Sequence, residues 1–322
     1  MKYLFSSILS LLIFGSAFGQ QVPAMDENIP FLVTFGKDAD SDWGDDDYSQ
    51  VFFFSVPHDY HAPVYFRVFD PDCSGELDEK NVAFNSLSRF SVYGGSACYS
   101  NPDAQQTDPV GSYDSGSLLA TKTFGQQEKY DQNWYTFGPF NPSSGEYIKK
   151  FDAYVFKIIC EGVKGDDGNL YRYFMSTQAE DNVEVEGGNA FTYEYTFRLH
   201  ADHRQISHVY PFIDDEVISL EQSNFDWDND GYIRIVSVVS WNEDVKTSKD
   251  DEWAHSTYKV KDEERGKSVD IQFVKTPATN VNNNNVVFSV RNQYGELLPF
   301  FVVPIGGIPQ FKGKATSTPI KR

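Results

Sequence analysis

The chain has 322 residues, with 27 Lys and Arg against 47 Asp and Glu, a formal net charge of −20. A chain this acidic lacks the basic footprint that nucleic acid requires, and it gains nothing from an anionic lipid surface. Aromatic residues make up 16% of the sequence, with 27 Phe and 19 Tyr, which excludes a disordered acidic chain and implies a large packed core.

The first predicted element is an export signal over residues 1–19. Lys2 supplies a positive start, Tyr3 to Phe14 is largely apolar, and Ala17-Phe18-Gly19 places small residues ahead of a cleavage before Gln20. The apolar stretch is short for a transmembrane helix, and no later run approaches the length a bilayer needs. The expectation is a secreted or otherwise extracytoplasmic protein (periplasm, cell surface or extracellular) with no transmembrane segment after signal cleavage.

Beyond the signal the dominant period is two, the mark of strands. Predicted strands cover 51–56, 63–69 (Val64, Phe66 and Val68 inward), 89–93, 153–161 (Tyr154, Phe156, Ile158 and Cys160 inward) and 170–176. Residues 191–200 alternate most clearly, with Phe191, Tyr193, Tyr195, Phe197 and Leu199 on one face. Further strands follow at 232–240, 268–275, 286–291 and 297–303, and the Asn run 282–285 reads as a turn before one of them. Clusters of Gly, Pro, Asn and Asp separate the runs, as turns require. No long stretch has helical period.

Short antiparallel strands with one apolar face bury it by pairing sheets. The predicted fold is therefore all-β, with two antiparallel β-sandwich domains. The first, 26–186, is jelly-roll-like. The second, 189–308, is immunoglobulin-like in size but lacks that fold's Cys…Trp…Cys spacing. The boundary falls in the acidic segment 179–189, and 309–322 is a flexible basic tail.

Three acidic turns interrupt the strands. In the first, Asp38, Asp40 and Asp42 alternate ahead of Gly44 and Asp45-Asp46-Asp47. In the second, Asp70, Asp72, Glu76, Asp78 and Glu79 surround Gly75. In the third, Asp226, Asp228 and Asp230 alternate and Gly231 follows, the opening half of the D-x-D-x-D-G loop in which side chains converge on calcium. Tyr232 adds a backbone carbonyl to that set. Ser237 stands where a helical calcium loop has its bidentate acid, so this is not an EF-hand. The expected calcium ligands are Asp226, Asp228, Asp230 and Tyr232, with Asp38, Asp40, Asp42, Asp70, Asp72 and Glu76 in the other turns. A hairpin joining 51–56 to 63–69 would bring the first two turns together at one site. For each turn the plain alternative is a solvated surface loop.

Trp43 and Trp227 lie inside acidic turns. Exposed, they would stack on a sugar ring; folded back, they would cap the end of a sandwich. Of the three cysteines, Cys73 and Cys98 are the better candidates for a bridge, and Cys160 packs as a small hydrophobe. His200, His203 and His208 do not have the helical H-E-x-x-H spacing and read as loop residues. No nucleophile elbow, P-loop or dinucleotide fingerprint occurs.

Phe35-Gly36-Lys37-Asp38, Trp43-Gly44-Asp45-Asp46-Asp47-Tyr48, Val51-Phe52-Phe53-Phe54 and the VYFRVFDPD run from Val64 to Asp72 form a pattern. Val92-Tyr93-Gly94-Gly95, the run from Leu119 to Gly125 and the run from Trp134 to Phe140 continue it. Over about residues 30–180 the chain resembles the N-terminal β-sandwich modules of secreted, envelope-associated proteins of Gram-negative bacteria. The resemblance implies a non-catalytic extracellular module and supplies no catalytic residues. The resulting expectation is an exported non-enzymatic protein, calcium-stabilised, acting in cell-surface or extracellular interaction or adhesion with a protein or glycan partner. The alternatives are a carbohydrate-binding module of a secreted glycan-utilisation system and a purely structural envelope component.

Overall fold

A computed structural model describes residues 20–105, 113–277 and 285–312. The expected export signal and residues 313–322 of the expected tail lie outside the described residues, as do residues 282–284 of the Asn run. Among the described residues the regular structure is strand, interrupted only by short 3-10 turns, so the chain is all-β. No helix among them is long and apolar enough to cross a membrane.

Nine strands build the largest sheet. Its order runs Trp253–Lys259, Ser219–Phe225, Asn285–Asn292, Glu194–Arg198, Phe31–Phe35, Gly168–Ser176, Val64–Phe69 and Trp134–Phe140, with Gln21–Val22 also on Gly168–Ser176. A seven-stranded sheet has the order Phe300–Phe301, Asn189–Thr192, Ser49–Pro57, Ala153–Lys164, Leu87–Gly94 and Ser117–Phe124, with Glu146–Ile148 beside Ala153–Lys164. A four-stranded sheet runs Ile206–Val209, Asp270–Lys275, Gly231–Val236 and Glu243–Val245. All pairings are antiparallel. The nine-stranded sheet crosses the boundary expected at 179–189, because Phe31–Phe35 pairs with both Gly168–Ser176 and Glu194–Arg198.

One hydrophobic core lies between these sheets. On its N-terminal side Phe52 of the seven-stranded sheet meets Tyr173 and Tyr195 of the nine-stranded sheet, with ring centroids 5.7 and 5.5 Å apart. On its C-terminal side Phe273 of the four-stranded sheet meets Phe197 and Phe288 at 5.2 and 5.1 Å. Each buried aromatic ring of this kind contributes about 1.5–3 kcal/mol of transfer free energy, plus a smaller gain from edge-on geometry.

Ser49–Pro57 is buried on both faces. Phe52, Phe54 and Val56 enter the main core, while Val51 and Phe53 enter a second aromatic cluster on the outer side of the seven-stranded sheet. This explains why 51–54 is continuously apolar where a half-exposed strand would alternate.

The structure corrects several sequence expectations. Residues 51–56 and 63–69 do not form a hairpin. Ser49–Pro57 pairs with Ala153–Lys164, and Val64–Phe69 pairs in the other sheet with Gly168–Ser176 and Trp134–Phe140. Residues 191–200 are not one strand either. The chain bends at Tyr193 and changes sheets, sending Phe191 and Tyr193 to the outer cluster and Tyr195 and Phe197 to the main core. The strand expected over 232–240 stops at Val236, where Ser237 begins a turn closed by its amide to Ser240. Cys73, Cys98 and Cys160 are all free and buried.

Candidate metal centre

The Asp226–Gly231 turn leaves the end of Ser219–Phe225 and enters Gly231–Val236. Asp226, Asp228 and Asn229 have φ of 56, 59 and 53°, the left-handed region. Asp and Asn tolerate that conformation better than bulky or branched residues, so the turn has a backbone reason for its composition.

A loop from the neighbouring edge of the sheet folds over this turn. The Trp227 amide donates to Ser248 Oγ at 2.8 Å, and the Asp251 amide donates to Asp226 Oδ1 at 3.0 Å. The first acidic turn arrives from the other half of the chain, where Ser41 Oγ donates to Asp251 Oδ1 at 2.7 Å. Gly44 allows the approach. At φ 85°, a Cβ there would stand 2.6 Å from Asn285 Cβ and 3.1 Å from Asp226 Oδ2. Asn285 Nδ2 closes the seam by donating to the Trp43 carbonyl at 2.7 Å.

These contacts gather carboxylates. Oxygens of Asp226, Asp228 and Asp250 lie within 4.8 Å of one another. Asp226 is 2% exposed, and no donor among the described residues reaches its Oδ2. Burial, then repulsion from Asp228, Asp250 and Asp42, pushes its carboxyl up to about 8, against the lowering effect of the Asp251 amide. Asp228 is pushed up to about 6 by burial and by Asp250, Asp230 and Asp42. Asp42 is raised by burial and by Asp40, Asp250 and Asp251. A hard divalent cation relieves such crowding, and oxygen-only donors of this kind suit calcium. The acidic clusters of the structure can therefore hold a metal ion.

The remaining expected ligands are distributed differently. Asp230 turns from the centre to Lys275, whose Nζ lies 2.9 Å from its Oδ2 in a buried ion pair. Tyr232 sits in the strand ladder opposite Val274, its ring exposed beside Arg234. Asp38 Oδ2 accepts from the Gly165 amide at 2.9 Å and braces a turn. Asp40 borders the centre through Asp42. Asp70 and Asp72 are buried at another place, and Glu76 is exposed. The first turn thus joins the third, while Asn285 Nδ2 also links it to Glu79 at the end of the second, at 3.4 Å from Glu79 Oε2.

Asp45, Asp46 and Asp47 also bring three oxygens within 4.8 Å. Asp45 uses both of its oxygens on backbone amides: Oδ2 accepts from Phe35, and Oδ1 from Asp47 and Tyr48. Burial pushes its carboxyl up to about 6. That group is a turn bracket first.

Trp227 does not face solvent. It is 1% exposed and packs on Phe273 with centroids 5.8 Å apart. Trp43 folds edge-on against Phe35 at 5.7 Å. Sequence reasoning missed Asp250 and Asp251. Their signal was the run Lys249-Asp250-Asp251-Glu252, which carries charge without ligand spacing. The sequence matches no family model and no curated protein.

Proposed function

We propose that the protein is an exported, non-enzymatic β-sheet module that binds calcium at Asp226, Asp228 and Asp250 and acts in extracytoplasmic interaction. The observation that carries this reading is the convergence of three separate chain segments on one repulsive carboxylate cluster built around the buried Asp226. The ion holds the turn of residues 38–47 against the 226–231 turn and so ties the two halves of the chain together. The resemblance to secreted modules supports the compartment. Thermal unfolding in chelator and in rising calcium tests the ion, because a ligand bound only by the native state raises stability with its concentration. An unchanged midpoint would sink the metal reading.

A glycan-binding reading is favoured by a different feature. A cleft of about 840 Å³ opens beside the outer aromatic cluster and is lined by Tyr99, Phe151, Tyr193, Phe212 and Phe301, with Lys150 among its polar groups. Aromatic faces beside hydrogen-bonding groups suit sugar rings. Titration with a polysaccharide panel, with Phe151→Ala as control, tests it. Binding that ignores the substitution removes this cleft as the site.

A further inference from the structure

We infer that Asp70, Asp72, Asp131 and Asn169 form a second cation site, separate from the one at Asp226. It does not depend on the first site. It draws on three adjacent strands of the nine-stranded sheet: Val64–Phe69 ends beside it, Trp134–Phe140 follows it, and Asn169 lies within Gly168–Ser176.

Hydrogen bonds hold this region in place while leaving an oxygen of each group over. The Asp70 amide donates to the Asn133 carbonyl at 3.0 Å, and Asp70 Oδ1 accepts from the Gln132 amide at 2.8 Å. Asp72 Oδ2 accepts from Ser74 Oγ at 2.6 Å, and Asn169 Nδ2 donates to the Pro71 carbonyl at 3.0 Å. What remains is Asp70 Oδ2, Asp72 Oδ1, Asp131 Oδ1 and Asn169 Oδ1. All four are buried oxygens that no donor among the described residues satisfies. Asp70, Asp72 and Asn169 are themselves 0% exposed. A buried polar atom without a partner is costly, more so when charged, so four such oxygens in one region call for a ligand.

The four spare oxygens are all acceptors and three belong to carboxyls, so the ligand they call for is a cation; among the described residues the one spare donor beside them is the buried Nε of Arg172, which reaches none of them. Burial pushes Asp70 up to about 7, with Asp72 and Asp131 adding to the rise. Asp72 is raised by burial and by Asp131, against the lowering effects of Ser74 and the Gln127 amide. Arg172 lowers Asp70 through space, but its guanidinium lies 4.7 Å from both the Phe31 and Phe69 rings and makes no hydrogen bond to the carboxylate. Asp78 takes no part, since its oxygens accept from the Ser74 and Leu170 amides.

The donor set selects the class of ion. Carboxylate and amide oxygens suit calcium, with water completing six to eight ligands. Cys73 is adjacent, but burial and the carboxylates of Asp78, Asp167 and Asp72 hold its thiol well above its ordinary value, which disfavours the thiolate that zinc needs. The three carboxylates stand wider apart than the 4.8 Å that encloses the Asp226 group. Asp131 Oδ1 already lies against the 70–75 loop: a Cβ on Gly75 would stand 2.4 Å from it, so glycine is what permits that approach.

Calcium titration by calorimetry on the full chain tests the site. We expect two calcium ions per chain. Asp131→Asn and Asp72→Asn each weaken one of them about tenfold or more while leaving the Asp228→Asn-sensitive ion in place. Hydrogen exchange guards against variants that do not fold. On the Asp228→Asn background alone, calcium must slow exchange in peptides spanning 70–79 and 127–133. The inference falls if folded Asp131→Asn and Asp72→Asn bind calcium as the parent does, or if calcium leaves exchange in both peptides unchanged. A single ion lost in Asp131→Asn but kept in Asp228→Asn upholds this site and removes the first.

Discussion

Asp226→Asn should change the sign of its effect on stability when calcium is added. The substitution keeps the side-chain shape and the oxygen that accepts from the Asp251 amide, but deletes the charge. Without calcium, the folded protein holds the Asp226 carboxyl at about 8 against an ordinary 3.8. A carboxyl raised in the folded state keeps its proton more tightly there than in the unfolded chain. Its stabilising contribution is therefore complete below about pH 4 and is lost as pH climbs through 8. Asp228, raised to about 6, adds to the loss in the lower part of that window. At neutral pH roughly three pH units lie above the unfolded value, at ~1.4 kcal/mol each, which bounds the Asp226 penalty at about 4 kcal/mol. Solvent screening around half-buried Asp228 and exposed Asp250 reduces the expected gain to roughly 1–2 kcal/mol. That is a rise of several degrees in melting temperature for the variant in chelator. In calcium at about a hundredfold excess over Kd the parent gains about 2.7 kcal/mol from this site, a gain the variant lacks, while any ion bound elsewhere stabilises both alike. The order of the two melting curves then reverses. Circular-dichroism melts between about pH 4 and pH 8, in chelator and in calcium, read this directly. A variant less stable than the parent in both conditions, or a parent whose chelated stability is flat across that range, refutes the reasoning.

Two further outcomes follow from the same geometry. Asp230→Asn removes the carboxylate 2.9 Å from Lys275 in a buried pair and should cost about 3–5 kcal/mol equally in calcium and in chelator, because Asp230 serves Lys275 and not the ion; a cost seen only in calcium returns Asp230 to the ligand set. The native protein should hide its three buried thiols from a thiol reagent and release all three on denaturation without reductant, and a count of one would mean that a bridge exists after all.

Much of the strand content was legible from periodicity, since alternation is a local property and turns carry local residue signals. Val64, Phe66 and Val68 enter the core as their spacing requires, and Cys160 packs there as a small hydrophobe. The candidate ligands were legible only in part. Asp226 and Asp228 announced themselves by alternation, whereas Asp250 carried charge without a pattern. Asp131 and Asn169 carried no signal, because an isolated Asp or Asn near a strand is ordinary.

By itself the sequence determined that this is an acidic, aromatic-rich β protein with carboxylates concentrated in its turns. Composition and period two are enough for that. Only the tertiary structure decided which turns meet. Register and sheet membership set those meetings, and both depend on contacts between residues far apart in the chain. The Tyr193 bend carries one continuous run into two sheets, and Ser49–Pro57 and Val64–Phe69 lie in different layers. For that reason Asp42 meets Asp228 and Asp250, while Asp70 and Asp72 face Asp131.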